Sequence, residues 1–164
     1  MGHIRQLSID DYEAVSALSQ FAFQYKLTDE EVKKKQKQES NHDIYGYDVD
    51  GALAGKLHLI PLSVYLGDDV MEMGGIASVA TWPEYRRQGL ARKLIRHALE
   101  RMDEKGIPLS YLHPFNVGFY RRLGWELSFD QYQLRIPTDR LKVMQADEGT
   151  YVRRTKDLKD IKAI

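Results

Sequence analysis

Asp50-Gly51 stands between two strand-like runs, Asp43 to Val49 and Leu53 to Leu66, and constrains the fold more than any other feature of the chain. An Asp-Gly pair supplies the positive φ angles of a two-residue hairpin, so the flanking runs read as antiparallel strands. Gly67-Asp68-Asp69 repeats the signal, and Val70 to Thr81 reads as a third strand of the same meander. Pro61 suggests a bend in the long middle strand. Gly74-Gly75 predicts a bulge or a close backbone approach in the third.

The segments on either side change period. From Gln88 to Lys105, Leu90, Ala91, Leu94, Ile95, Ala98 and Leu99 recur as one helical stripe. Gly106-Ile107-Pro108 stops that helix. Leu109 to His113 reads as a short strand ended by Pro114, and Val117 to Leu123 as a short helix ended by Gly124. Trp125 to Phe129 and Gln131 to Ile136 read as a terminal pair of strands. Ahead of the meander, His3 to Leu7 alternates, and Ser8 or Asp10 can cap a helix from about Asp11 through Tyr12, Val15, Leu18, Ser19 and Ala22. Thr28 and Glu31 are spaced for a capping box, and Lys33 to Gln38 is a solvated helix face.

The predicted order is β-α-α-β-β-β-α-β-α-β-β. The β-α-β unit from Val70 to His113 should pair in parallel through a right-handed crossover. The fold class is therefore α/β of the α+β kind, a mixed, mostly antiparallel central sheet flanked by helices. At 164 residues and 19.0 kDa the chain suits one domain with a short extension, placed at 1–140 and 141–164. The tail holds a short echo: Val152-Arg153-Arg154-Thr155 with Asp157 and Ile161 parallels Ile4-Arg5-Gln6-Leu7 with Asp10 and Val15. It is either a coincidence or the start of a second, related region.

Cysteine is absent, which excludes disulfides, thiolate metal sites and cysteine nucleophiles and fits a cytoplasmic setting. Lysine plus arginine and aspartate plus glutamate number 24 each, so net charge argues for neither nucleic acid nor a membrane as partner. No apolar run approaches the ~18 residues of a membrane span.

The chemistry concentrates where the third strand passes through Trp82-Pro83-Glu84-Tyr85 into Arg86-Arg87-Gln88-Gly89-Leu90-Ala91 and opens a helix. Unpaired amides at a helix start, on the positive end of its dipole, form a ready diphosphate site. Gly89 permits close approach, small Ala91 serves the same need, and Arg86, Arg87 and Arg92 add guanidinium charge. An ordinary strand-to-helix corner with exposed arginines is the plainer alternative.

Tyr85 to Arg92 resembles the Arg/Gln-x-x-Gly-x-Gly/Ala signature of the GCN5-related N-acetyltransferases, with Ala91 where glycine is commoner. The likeness extends over about residues 3 to 136. A narrower resemblance is to the enhanced-intracellular-survival (Eis) acetyltransferases. It is carried by Gly74-Gly75-Ile76-Ala77-Ser78-Val79, by Trp82 to Arg87, and by Leu112-His113-Pro114 leading to Gly118-Phe119-Tyr120-Arg121-Arg122-Leu123-Gly124-Trp125.

The resemblance implies acetyl-CoA as acetyl donor, no metal, and a primary-amine acceptor, a cationic small molecule or lysine-like amine. It implies no nucleic-acid or membrane partner, and a homo-oligomer, because the resembling proteins form rings. Cofactor contacts are expected from Val79, Ala80 and Thr81 on the strand, from Arg86, Arg87, Gln88, Gly89, Leu90, Ala91 and Arg92 at the corner, and from Phe115 and Asn116. Val79 and Thr81 are candidates to offer a main-chain N–H to the thioester carbonyl.

Tyr120 is the expected general acid, since a phenol is protonated at neutral pH; the alternative is a packed aromatic. Asn116 either caps its helix or contacts cofactor. In the resembling group the base is a far C-terminal carboxylate, and Glu72, His58 and His113 are local alternatives. Asp29, Glu30 and Glu31 either attract the acceptor or simply serve their helix start. A competing function is a non-catalytic acyl-CoA-binding or regulatory domain.

Overall fold

Five strands form one sheet in chain order. β1 (His3–Gln6), β2 (Asp43–Val49), β3 (Ala52–Leu66) and β4 (Asp69–Thr81) pair antiparallel, and β5 (Leu109–Leu112) joins β4 in parallel. The computed structural model describes residues 2–130 and 132–140. Both hairpins fall where the turn chemistry puts them. Asp50 and Gly51 have φ of 49° and 82°, and Gly67 has 64°, the positive values that tight hairpins require.

Adjacent residues of a strand face opposite ways, and the core follows that parity. On one side α3 (Leu90–Glu104) lays Leu94, Ile95, Ala98 and Met102 against Tyr45, Leu57, Leu59 and Ile76. On the other, Tyr12 and Val15 of α1 (Tyr12–Phe23) gather on Ile44, with Val32 of α2 (Asp29–Gln38) packed alongside. From Ala54 to Leu59, β3 is thus buried on both faces. Leu57 and Leu59 point toward α3, and Lys56 and His58 point toward α1 and α2.

Local chemistry sets the helix ends. A 3-10 turn, Ile9–Asp11, capped by Ser8, leads into α1 at Tyr12. The predicted capping box of α2 is present: Thr28 Oγ1 accepts from the Glu31 amide, and the Thr28 amide donates to Glu31 Oε2 at 2.8 Å. Arg5 ties β1 to the start of the helical layer, at 2.6 Å from Asp48 and 2.7 Å from Asp11.

Gly74 and Gly75 mark a close approach rather than a bulge. A Cβ on Gly74 would meet Met102 Sδ at 2.5 Å, and one on Gly75 would meet Leu62 Cδ1 at 2.8 Å. The bulge lies further along: Lys56 pairs with Ala80 and His58 with Ala77, so Ser78 and Val79 together oppose Leu57.

The chain divides into two compact units, Met1–Leu127 and Ser128–Ile164. The expected strands Trp125–Phe129 and Gln131–Ile136 are not formed among the described residues, and Gln131 lies outside them. Alternation becomes a strand only when a neighbouring backbone completes a ladder; here Tyr132, Leu134 and Ile136 stand exposed. The tail echo at Val152 to Ile161 also lies outside the described residues.

Candidate active site

Two departures from regular pairing in β4 build the site. β4 pairs with β5 from Met73–Leu109 to Ile76–Leu112, and there β5 ends. Ala77 to Thr81 therefore runs on past β5 without a parallel partner. The second departure is the bulge in that same stretch, where Ser78 adopts φ 53°. A bulge leaves a residue out of the ladder, so backbone groups of Ser78 and Val79 are freed from β3 just beyond the end of β5.

β4 leads directly into the corner. After Trp82 a 3-10 turn, Pro83–Tyr85, delivers an extended Arg86. Arg87 at φ 64° and Gly89 at 77° then flank Gln88, whose φ is negative. Alternating φ signs turn successive amides inward, the arrangement of an anion-binding nest.

Gly89 is the N-cap of α3 and offers no side-chain cap, and the helical ladder opens with Lys93 N donating to Gly89 O at 3.0 Å. The amides of Leu90, Ala91 and Arg92 consequently lack intrahelical acceptors. A Cβ built on Gly89 meets nothing within 4 Å, so the space beside the N-cap is open. Arg86, Arg87 and Arg92 are exposed around it. Leu90 is buried and anchors the helix, and Gln88 donates to Glu84 O at 3.1 Å, which leaves both to act through their backbone.

α4 (Val117–Arg121) follows β5 and holds Tyr120. The Tyr120 ring is 5% exposed and belongs to the cluster against which Val79 packs, on the α3 side of the sheet. Phe119 and Trp125 meet it edge-on at 5.1 and 6.2 Å. Burial raises its phenol pKa, so it keeps its proton at neutral pH. Tyr120 is both the packed aromatic and a protonated donor. Asn116 caps the helix, its Oδ1 accepting from Phe119 N at 2.8 Å. Phe115 is 75% exposed and lies beside Phe119 and Tyr120.

The base candidates separate clearly. Glu72 is exposed and six residues from Ser78, roughly 20 Å along a strand. His113 is exposed just beyond β5. His58 is 1% exposed and sits on the far side of the bulge from α3, beside a lysine that the sequence passes over.

Lys56 is 0% exposed, bonds Ser78 Oγ, and lies 3.1 Å from His58 Nε2. His58 Nδ1 is 3.3 Å from His42 Nδ1, and Glu39, held at 2.6 Å by Tyr12 OH, completes the group. Burial pulls Lys56 down to about 7 and holds His58 neutral. Donor atoms of Glu39, His42 and His58 lie within 4.8 Å of one another. They are close enough for a metal ion, but both ring nitrogens of His58 are already engaged, Nε2 by Lys56 Nζ and Nδ1 by His42 Nδ1. The available signal was parity: Lys56 and His58 alternate with Leu57 and Leu59 in a strand whose two faces are both covered.

A hollow of about 610 Å³ lies over the end of α1 and its link to α2, lined by Gln20, Phe21, Gln24, Tyr25 and Leu27 among others. Phe21 meets Trp82 at 5.0 Å with the rings tilted by 45°, which joins the hollow's edge to the start of the corner. Glu31 is committed to its capping box, while Asp29 and Glu30 are exposed.

Residues 3–128 match the family described as Acetyltransferase (GNAT) domain, and the chain belongs to that family. It is similar to N-acetyltransferase Eis of Mycobacterium tuberculosis (strain CDC 1551 / Oshkosh), 28% identical over 94 residues that cover 53% of this chain and 23% of that protein. The chain thus spans about a quarter of the length of the Eis proteins it matches. A probable N-acyltransferase of Enterococcus faecalis V583 superposes with a TM-score of 0.74 at 28% identity, over 77% of this chain and 32% of the other. A predicted acetyltransferase of Clostridium acetobutylicum, solved with acetyl-CoA, superposes with a TM-score of 0.71 at 13% identity, over 82% of this chain and 96% of the other, and shares the fold. Among the described residues no helix is long and apolar enough to cross a membrane.

Proposed function

We propose that this chain is an acetyl-CoA-dependent N-acetyltransferase domain that acetylates a primary amine, a cationic small molecule or a lysine-like amine. The observation that carries the reading is the continuity of the open β4 segment, its bulge at Ser78–Val79 and the uncapped corner at Gly89. The corner fits a diphosphate: alternating φ signs, amides without acceptors, a place where a side chain would project into open space, and three exposed arginines.

When bound, acetyl-CoA supplies an activated acetyl thioester. The amides of Arg87 to Arg92 would hold its diphosphate, with Val79, Ala80 and Thr81 along the arm that follows. A bulge amide of Ser78 or Val79 would polarise the carbonyl. Tyr120, protonated and on the α3 side, would give its proton to the leaving sulfur. Phe115 and Asn116 border that path. The hollow over the end of α1 and its link to α2 would receive the acceptor.

The test is thiol release from acetyl-CoA across a panel of alkylamines and lysine-like amines. Wild type should turn over a subset of them, and Tyr120→Phe should lower kcat by roughly a hundredfold with cofactor affinity kept. Full activity in the Phe variant would remove Tyr120 from the chemistry. Silence of wild type toward every amine would leave a binding domain only.

A further inference from the structure

We propose that Lys56 is the proton acceptor for the incoming amine, reached through the Ser78 hydroxyl and connected to solvent through His58, His42 and Glu39. The proposal rests on the transferase reading above and supplies the base that reading lacks.

A file of polar groups starts at the bulge, on the side of the sheet away from Tyr120, and ends at the half-buried His42 and Glu39. Each neighbour is in contact: Lys56 Nζ with Ser78 Oγ, Lys56 Nζ with His58 Nε2 at 3.1 Å, and His58 Nδ1 with His42 Nδ1 at 3.3 Å. The two histidine rings meet edge-on at 5.5 Å.

Lys56 has no exposed surface, and its hydrogen-bond partners, a hydroxyl and an imidazole, are uncharged. Burying a cation among neutral groups is costly, and an apolar side chain would fill the place more cheaply. Perturbed, buried titratable groups of this kind concentrate where protons are moved. The charged and titratable groups facing the file are Lys35 of α2, Glu39 at that helix's C-terminal cap, His42 after it, and Tyr12 of α1, which holds Glu39. Lys35 is drawn toward Tyr25 OH at 2.5 Å. Burial leaves Lys56 near 7, so it is available as a free amine at physiological pH.

The step balances as one proton moved and no electrons transferred. With Lys56 neutral, the Ser78 hydroxyl donates to Nζ. As the acceptor's ammonium N–H bond breaks toward Ser78 Oγ, the Ser78 O–H bond breaks toward Nζ, and Lys56 becomes an ammonium. Lys56 then returns its proton to solvent by way of His58 and the surface pair His42 and Glu39.

The experiment is the pH dependence of kcat/KM for an alkylamine, from pH 5.5 to 9.5, in wild type, Lys56→Met and His42→Gln. Melting curves and acetyl-CoA affinity serve as controls for folding. Wild type should rise to a plateau near neutrality. Lys56→Met should lose roughly a hundredfold at pH 7 and climb with pH without that plateau, with acetyl-CoA affinity unchanged. His42→Gln interrupts the path to solvent beyond His58 and should lower the plateau while leaving its midpoint in place. An acceptor whose ammonium pKa lies below 6 should suffer at least tenfold less from Lys56→Met than the alkylamine does.

A wild-type pH profile in Lys56→Met, or equal losses on both acceptors, would overturn the proposal while leaving the transferase reading intact. Tight stoichiometric zinc in the purified protein, with activity lost on its removal, would also overturn it. No thiol release from wild type with any amine would sink both readings together.

Discussion

Replacing Lys56 by Met should stabilise the domain at neutral pH and cease to do so in alkali. The lysine titrates near 10.5 in the unfolded chain and near 7 in the folded one. Between those values the unfolded state holds the extra proton, so wild-type stability rises with pH across that window. Below pH 7 both states are charged and the penalty is constant.

At pH 7 the linkage costs wild type about 4 kcal/mol. Met removes that cost but strands Ser78 Oγ and His58 Nε2, at roughly 1 kcal/mol each. The net gain at pH 7 is then about 2 kcal/mol. It shrinks by roughly 1.4 kcal/mol per pH unit and vanishes near pH 9. Urea denaturation midpoints at pH 7, 8 and 9 read this directly. The crossover is the signature: a difference between wild type and variant that stays constant from pH 7 to 9 would refute the idea that Lys56 folds with a depressed pKa.

Two further changes test the frame around the site. Thr28→Ala removes the reciprocal cap of α2 and should cost about 1 kcal/mol in urea denaturation; an unchanged midpoint would show that the cap is idle. Gly55→Ala places a Cβ 2.8 Å from Thr81 Cγ2 and 3.0 Å from the backbone oxygen of Ala80, beside the bulge. It should lower stability by about 1–3 kcal/mol and weaken cofactor binding, measured by thermal melts with and without acetyl-CoA.

The sheet was legible wherever a residue type dictates a backbone angle. Asp50-Gly51 and Gly67 announce their turns, and Thr28 with Glu31 announces a helix start. The corner was legible for the same reason, since Gly89 and its arginines describe local geometry. The bulge was not. It is a property of register between two strands, and Gly74-Gly75, small because Met102 and Leu62 press on them, drew the expectation roughly 10–17 Å upstream along the strand. Lys56 was missed because a lysine in a strand normally faces water; only the burial of both faces of β3 reverses that. The runs Trp125 to Phe129 and Gln131 to Ile136 show the opposite failure, where alternation promised strands that the described residues do not form.

Calorimetric titration of acetyl-CoA into the protein and into Gly89→Glu tests the site most directly. The wild-type corner should take up one equivalent, and the variant, with unchanged far-ultraviolet dichroism, should show no binding, because its carboxylate projects into the open space beside the α3 N-cap. Equal binding by the two proteins, or no heat with wild type at high cofactor concentration, would contradict the placement of the diphosphate at that corner.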